Sequence, residues 1–354
     1  MIVDASGALP LPWLAEPLAQ ALTTHRGHAL LVHGSPGVGA MEFAFTLAQA
    51  WLCEAEGAGP WPCGRCGSCR LVQSHVHPDL TVLLPETLRR ELDWPLPDDK
   101  ADGDDSKRKP SRQIRINEVR LLIERLTRTS ARGRAKVALL HPADVLNTQS
   151  ANALLKTLEE PAPGTRLVLT TSDPATLLPT VRSRCQLLRL NEPPADVALA
   201  WLQGQGVPAA ADAQVLLAAC SGRPLDALVL LRAGIDARAW AGLPAAVAAG
   251  NAGALAGWPV PRALDALQKL CHDALARATG GNARYFPNAG VPGRAAPQRL
   301  SAWSRELERV ARHAEHPWSE VLLVEALVRG GAEALALQAP RGAAPARGLD
   351  TLAQ

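Results

Sequence analysis

The glycine-rich turn over residues 34–41 constrains the fold of this chain more than any other stretch. It follows an apolar run, Ala29–Val32, that predicts a buried parallel strand, and it opens an amphipathic helix through Phe43 and Leu47. A strand, a glycine turn and a helix in this order form the context of a phosphate-binding loop, whose pattern is G-x-x-x-x-G-K-[ST]. A coincidental turn between a strand and a helix is the alternative for such a fragment taken alone.

The turn lacks both residues that would act on a nucleotide. In a working phosphate-binding loop, backbone N–H groups and the helix N-terminus cradle the phosphates. A lysine then reaches the outer phosphates, and a Ser or Thr hydroxyl holds Mg²⁺. Here Gly34, Gly37 and Gly39 keep their spacing, but Ala40 stands at the lysine position and Met41 at the hydroxyl position. The sequence therefore predicts a degenerate loop that binds no nucleotide productively.

A second catalytic element is also missing from its place. A hydrolysing ATPase of this kind needs an acidic pair at the end of a neighbouring strand. The candidate strand, Val137–Leu140, is followed by His141 and Pro142, and Asp144 lies beyond the strand end. Two independent losses argue against ATP hydrolysis, and an active ATPase with a divergent loop is the alternative.

A dense cysteine array follows the helix of the glycine loop. Two-residue spacings let successive thiolates converge on one tetrahedral ion, and glycines permit the tight turns between them. The predicted ligands of a structural Zn²⁺ within a module over residues 53–69 are Cys53, Cys63, Cys66 and Cys69. His75 and His77 are possible substitutes, and an iron–sulfur cluster is the alternative to zinc. Four protein ligands leave no open coordination position, so we expect no catalysis at this metal.

Length and composition limit the possible classes of protein. A length of 354 residues predicts two or three domains, and a net charge of +3 is too small to indicate a nucleic-acid binder by itself. No apolar run approaches the ~18 residues of a membrane span, and the N-terminus shows no signal peptide. We therefore expect a cytoplasmic protein with reduced or metal-bound cysteines.

The pattern of elements changes near residue 193. Strands alternate with helices over residues 1–192, which predicts an α/β domain with a parallel sheet and helices on both faces. Helical patterns then predict a small helical domain over 193–235 and a helical bundle over 236–336, followed by a disordered tail over 337–354. The charged, proline-containing stretch 86–112 predicts a mobile surface insertion, with a basic docking patch as the alternative.

The residues described so far, taken with two further motifs, resemble the AAA+ clamp-loader family of bacterial DNA replication. The further motifs are the run Ser150–Pro161 and the triplet Ser183-Arg184-Cys185. The resemblance covers about residues 10–235, and the last hundred residues match only in helical character. It implies a RecA-like AAA+ domain, a helical lid and a helical collar. The implied assembly is the hetero-pentameric loader of DNA polymerase III, with gamma/tau-type ATPase subunits and a delta subunit, acting on a sliding clamp and primer–template DNA.

The resemblance also implies roles for single residues. Arg184, with Ser183 and Cys185 as its motif, would act in trans as an arginine finger on a neighbouring subunit's ATP, although an arginine on a loop is more often a solvated surface charge. Thr171 or Ser172 falls at the polar sensor-1 position.

The sensor-2 stretch of the lid departs from the family pattern. Its usual arginine position holds Leu225, and Arg223 two residues away could compensate. This departure fits a branch of the family that does not hydrolyse ATP.

A basic stretch has two interpretations. In this family some basic positions face primer–template phosphates, but a solvated turn is the simpler interpretation. The residues concerned are Arg125, Arg128, Arg132, Arg134 and Lys136. A zinc-containing DNA-binding protein unrelated to replication is a further hypothesis, and the near-neutral charge argues against it.

Overall fold

The structure is a computed structural model that describes residues 2–25, 27–56, 62–95, 109–207, 209–287, 289–292, 295–313 and 319–336. The chain divides into two compact units. The first comprises Met1–Trp201 together with Arg223–Asp226, and the second comprises Leu202–Gly222 together with Ala227–Gln354. The tail predicted over residues 337–354 lies outside the described residues.

The first unit is built on a five-stranded parallel sheet. The strands are β1 (Ala29–His33), β2 (Leu80–Leu83), β3 (Lys136–Leu140), β4 (Thr165–Thr171) and β5 (Gln186–Arg189). Their order across the sheet is β2-β3-β4-β1-β5, and every pairing is parallel. The α/β fold expected from the alternation of strands and helices is confirmed. Strand β5 was not predicted, because Leu188 is its only buried residue.

Helices cover both faces of the sheet. The helices of this unit are α1 (Ala15–Thr24), α2 (Ala40–Leu52), α3 (Gly67–Gln73), α4 (Glu86–Glu91), α5 (Ile116–Thr127), α6 (Thr148–Glu159) and α7 (Pro179–Arg182). Because side chains alternate along a strand, Leu30 and Val32 of β1 pack on one face with α1 and α2, whereas Leu31 packs on the other with α5 and α6. Burial of apolar side chains on both faces explains why these strands read as continuous apolar runs.

The second unit is helical, as the sequence predicts. The helices that follow β5 are α8 (Ala195–Gly204), α9 (Ala210–Ala219), α10 (Pro224–Arg232), α11 (Ala237–Ala248), α12 (Val260–Ala278), α13 (Pro297–Ala311) and α14 (Glu320–Leu335). Helices α11 to α14 form a bundle in which the indole of Trp303 donates a hydrogen bond to the Leu327 carbonyl at 3.2 Å. Buried Asp273 accepts three backbone N–H bonds at 2.8–2.9 Å from residues 284–286. This carboxylate fixes the segment after α12.

The predicted insertion over residues 86–112 differs from its expectation at its start. Residues 86–91 form helix α4, and Arg89 is buried beside Glu118 at 3.6 Å. A paired, buried arginine gives this helix a packed position, which the charged composition concealed. Residues 96–108 lie outside the described residues.

No single helix in the described ranges is long and apolar enough to cross a membrane. Helices α9 and α10 meet that length and composition test only as a bent pair.

Candidate functional site

The carboxyl ends of β1, β4 and β3 lie side by side and bring together the degenerate loop and its surroundings. The Gly34 N–H donates to the Thr171 carbonyl at 3.4 Å, and His141 Nδ1 lies 2.6 Å from the Thr170 hydroxyl. In parallel α/β sheets, ligands bind at this edge. The sequence-predicted elements of a nucleotide site are therefore assembled in one place.

The glycine loop keeps the backbone of a phosphate-binding turn. Gly37 and Gly39 have φ angles of +78° and +97°, a region that residues with a Cβ rarely adopt. Helix α2 begins at Ala40, and both Ala40 and Met41 pack against the apolar core under the sheet. No ammonium or hydroxyl group can therefore reach a phosphate from these two positions.

Two carboxylates lie against this loop, and the sequence analysis did not anticipate either. A Cβ placed on Gly37 would lie 2.4 Å from Asp226 Oδ1, so the carboxylate contacts the glycine directly. Glu192 accepts a hydrogen bond from the Ser35 hydroxyl at 3.3 Å. Arg223, the candidate compensating arginine, pairs with Asp226 at 2.6 Å. The Asp226 carboxylate thus occupies the space over Gly37 while its charge is offset by Arg223, and Glu192 adds a second carboxylate beside the loop.

Two polar side chains follow β3, the neutral imidazole of His141 and the hydrogen-bonded carboxylate of Asp144. Burial lowers the pKa of His141 to about 4, against the opposing effect of Asp144, so the ring is neutral at pH 7. Asp144 accepts bonds from the Thr171 hydroxyl, from the Ser172 N–H and hydroxyl at 3.2 Å each, and from the Thr176 hydroxyl at 3.1 Å. Both candidates for sensor 1, Thr171 and Ser172, are therefore bound to Asp144.

The four predicted metal ligands converge. Their Sγ atoms all lie within 4.8 Å of one another, with 3.9 Å between Cys53 and Cys66 and 4.0 Å between Cys63 and Cys69. Zn–S bonds of ~2.3 Å in a tetrahedron place sulfur atoms about 3.8 Å apart, so this donor set fits zinc.

The backbone around the cluster is arranged for thiolates. The N–H groups of Cys66 and Cys69 point at the Sγ atoms of Cys63 and Cys66, each at 3.4 Å. Burial alone would raise the pKa of Cys63, but N–H donors from Arg65 and Cys66 and the neighbouring thiols lower it to about 6. Burial raises the pKa of Cys69. A cation shared by all four sulfurs would offset the cost of ionising the buried ones.

His75 and His77, which the sequence suggested as possible substitute metal ligands, have other partners. His77 Nε2 lies 2.7 Å from the Ser68 hydroxyl, and the ring of His75 stacks on Trp94 with centroids 3.9 Å apart. The cluster of possible metal ligands in the described structure contains the four cysteines alone.

Arg184 lies between α7 and β5 with its guanidinium held in place. Its Nε donates to Glu159 Oε1 at 2.7 Å and its Nη1 donates to the Thr180 carbonyl at 2.8 Å. The side chain of Arg184 is one-third exposed, whereas burial raises the pKa of the neighbouring Cys185 thiol to about 12. Glu159 belongs to the Ser150–Pro161 run, and the sequence analysis did not assign it a role.

The five basic residues near 130 do not form one free surface. Lys136 is buried at the start of β3, where its ammonium donates to the carbonyls of Leu126 and Arg128. Arg128 pairs with Glu124 at 2.8 Å, and Arg132 pairs with Glu54 at 2.7 Å. Treating all five as one solvated basic turn is therefore wrong for Lys136, because its buried ammonium donates hydrogen bonds to backbone carbonyls.

Comparison with known proteins places the chain. The family described as "DNA polymerase III, delta subunit" matches residues 14–194, which are 181 of the 354 residues. The chain belongs to this family. The delta-prime subunit of Haemophilus influenzae is 34% identical over 227 residues, which are 63% of this chain and 62% of the relative. The delta-prime subunit of Yersinia pestis is 39% identical over 198 residues, which are 55% of this chain and 52% of the relative.

Within this family the curated relatives of high similarity carry the delta-prime name, and the motifs of the degenerate loop and the cysteine array lie inside the matched range. The chain is also similar to the tau subunit of Escherichia coli, with 34% identity over 175 residues, 49% of this chain and 23% of that protein. The chain spans between half and two-thirds of the length of the two delta-prime relatives named above. The described part of this family member combines an α/β domain on a parallel sheet with a helical C-terminal part.

Proposed function

We propose that this delta-prime-type chain does not hydrolyse ATP and that it acts as a scaffold of the clamp loader. The observation that carries this proposal is the loop after β1. Ala40 and Met41 are partly buried against the core, and the carboxylate of Asp226 lies on Gly37. A phosphate approaching this loop would find its space taken by the arginine-paired Asp226 carboxylate and would meet no lysine.

The end of β3 supports the same conclusion. ATP hydrolysis in this class requires a carboxylate that holds Mg²⁺ and orients water. His141 is neutral, and Asp144 accepts four hydrogen bonds from residues on and after β4. Turning Asp144 towards a metal ion would remove the acceptor of the Ser172 N–H and hydroxyl and would disrupt the contacts with Thr171 and Thr176, which opposes that role.

Arg184 is proposed to act on the ATP of a neighbouring subunit. A guanidinium stabilises charge that develops on a transferred phosphoryl group, and arginine fingers supply this in trans. The ion pair between Arg184 and Glu159 is half exposed, and pairs of this kind contribute only ~0–1 kcal/mol. Such a pair aims the side chain and still lets it leave for a phosphate.

The proposed assembly is a hetero-pentamer with gamma/tau-type ATPase subunits and a delta subunit, which loads a sliding clamp on primed DNA in the cytoplasm. The similarity to a tau subunit supports this setting. Residues 193–235 are proposed as the lid and residues 236–336 as the collar through which the subunits associate. Exposed apolar side chains on α14, Val321 and Leu322, suit such a role.

The cysteine module is proposed to bind one structural Zn²⁺ through Cys53, Cys63, Cys66 and Cys69. When bound, the ion cross-links the end of α2 to the start of α3. The spacing of the sulfur atoms and the backbone N–H donors support zinc over bare thiols.

One experiment separates the scaffold from an active ATPase. ATP turnover is measured for this chain alone and then for the reconstituted loader with wild type, Arg184→Ala or Arg182→Ala. We expect no turnover by the isolated chain and a loss of ~10³-fold at the one site that receives Arg184, with a smaller effect on the whole ring.

The control Arg182→Ala removes a neighbouring arginine of α7 and should leave turnover unchanged. Hydrolysis by the isolated wild-type chain would refute the scaffold proposal. Equal activity of the Arg184→Ala and Arg182→Ala loaders would refute the finger.

A further inference from the structure

A hydrogen-bonded connection links the cysteine module to the segment that leads into β3. This segment, residues 128–135, is called the α5–β3 turn. Its residues 131–134 are exposed and belong to no helix or strand. Such a segment needs side-chain anchors to keep one conformation, because it lacks the repeated backbone bonds of regular structure.

Asp79 is the anchor of the turn. Its carboxylate is buried and accepts the Ala131 N–H at 2.8 Å, the Arg132 N–H at 3.0 Å and the Ser130 hydroxyl at 3.1 Å. Three successive residues of the turn thus depend on one side chain. A charged acceptor makes these bonds stronger than neutral ones.

The cysteine module holds Asp79 in turn. The Asp79 N–H donates to His77 Nδ1 at 3.1 Å, so the proton of the neutral ring lies on Nε2 and is donated to the Ser68 hydroxyl, 2.7 Å away. Ser68 is fully buried and lies between two of the metal ligands, Cys66 and Cys69. Any movement of the ligand backbone therefore moves Ser68 and, through His77, the start of β2.

A second connection runs through Glu54, the residue after the ligand Cys53. One oxygen of Glu54 accepts Arg132 Nε at 2.7 Å, and the other accepts the Ser68 N–H at 3.2 Å. The Glu54 N–H points at Cys66 Sγ at 3.5 Å. Four thiolates around one Zn²⁺ leave a net charge of about −2, and the guanidinium of Arg132 lies beside this module, over Gly67. Charge and hydrogen bonding therefore both draw the turn towards the module.

We propose that the cysteine module, when it holds its metal, fixes the conformation of the α5–β3 turn. Metal binding fixes Ser68 and Glu54, which fix His77, Asp79 and Arg132. Loss of the metal releases the turn while the central strands stay paired. This role rests on the proposed zinc site, and it does not depend on ATP or on the clamp-loader assembly.

Hydrogen exchange of the full-length chain tests the proposal. Zinc-loaded protein is compared with protein stripped by a chelator, and exchange is followed in peptides from residues 128–135 and from β4. We expect exchange at the Ala131 and Arg132 amides to rise about tenfold or more without metal, with β4 unchanged. Readdition of Zn²⁺ should restore protection, whereas unchanged protection of the turn would overturn the proposal.

Two variants test the proposal even if the protein unfolds when its metal is removed. His77→Ala interrupts the connection but keeps all four cysteines, so zinc content should stay at one per chain while the turn loses protection. Ser74→Ala, at the end of α3, removes a hydroxyl whose hydrogen bond within the described residues goes to the Arg70 carbonyl, and it should change neither quantity. Equal protection of the turn in zinc-loaded His77→Ala and Ser74→Ala would overturn the proposal.

Discussion

Replacing Gly37 by alanine tests whether the carboxylate of Asp226 occupies the degenerate loop. Two effects are expected. A residue with a Cβ at φ +78° is strained by about 1–2 kcal/mol. The new methyl group would also meet Asp226 atoms at 2.4, 2.5 and 2.8 Å, all closer than real Cβ contacts come. The carboxylate must move, and its 2.6 Å pair with Arg223 is lost or weakened.

The second effect can be isolated with a matched glycine. Gly164 has a φ of +75° and nothing within 4 Å of its built Cβ, so Gly164→Ala carries the strain without the clash. We expect Gly37→Ala to lower the free energy of unfolding by about 1–2 kcal/mol more than Gly164→Ala. In the double variant Gly37→Ala/Asp226→Ala this excess should disappear, giving a coupling of about 1–2 kcal/mol.

Urea unfolding followed by circular dichroism and tryptophan fluorescence measures these differences. Fits must treat the two compact units separately, because a single two-state transition is not expected for such a chain. Equal destabilisation by the two glycine substitutions, or no relief from Asp226→Ala, would refute the contact. The position of the Asp226 carboxylate at Gly37 would then no longer be an argument against nucleotide binding.

Three further changes have defined outcomes. Cys66→Ser should reduce zinc content, measured by elemental analysis, from one per chain to near zero, and a ratio near zero in the wild type would reject the site. The pKa of His141 falls from 6.5 to about 4 on folding, so the unfolded chain binds more protons between these values. Stability should therefore drop by about 3 kcal/mol as the pH falls from 6.5 to 4, and His141→Asn should flatten this slope in urea titrations. Asp273→Ala leaves three backbone N–H groups without their acceptor and should cost about 3–5 kcal/mol in urea unfolding, and a loss below 1 kcal/mol would contradict the anchoring role.

The sequence predicted those parts of the molecule that follow from local pattern. Continuous apolar runs identified β1 and β3, because strands buried on both faces contain few polar residues. Two-residue spacing identified the cysteine cluster, since convergence of ligands depends on adjacent turns. Edge strand β5 was not predicted. Its residues Gln186, Leu187 and Arg189 are exposed, and its sequence does not alternate between apolar and polar residues.

Partner choice between distant side chains was not predictable. Asp226 meets Gly37 across 189 positions, and Glu159 meets Arg184 across 25, and neither pair has a sequence spacing that marks contact. Lys136 looked like part of a basic turn, although its ammonium is buried against backbone carbonyls. The partner of a long, flexible side chain is determined by the folded structure. The residues next to a charged side chain in the sequence therefore say little about whether that side chain is exposed or forms an ion pair or hydrogen bond.

The resting place of Arg184 has an entropic consequence. An arginine side chain has about 2 kcal/mol of rotamer freedom to lose when it is fixed. Acceptors on Glu159 and Thr180 already restrict this side chain in the isolated subunit. Much of the ordering is therefore complete before any neighbour arrives, and contact with a phosphate would exchange one ordered partner for another.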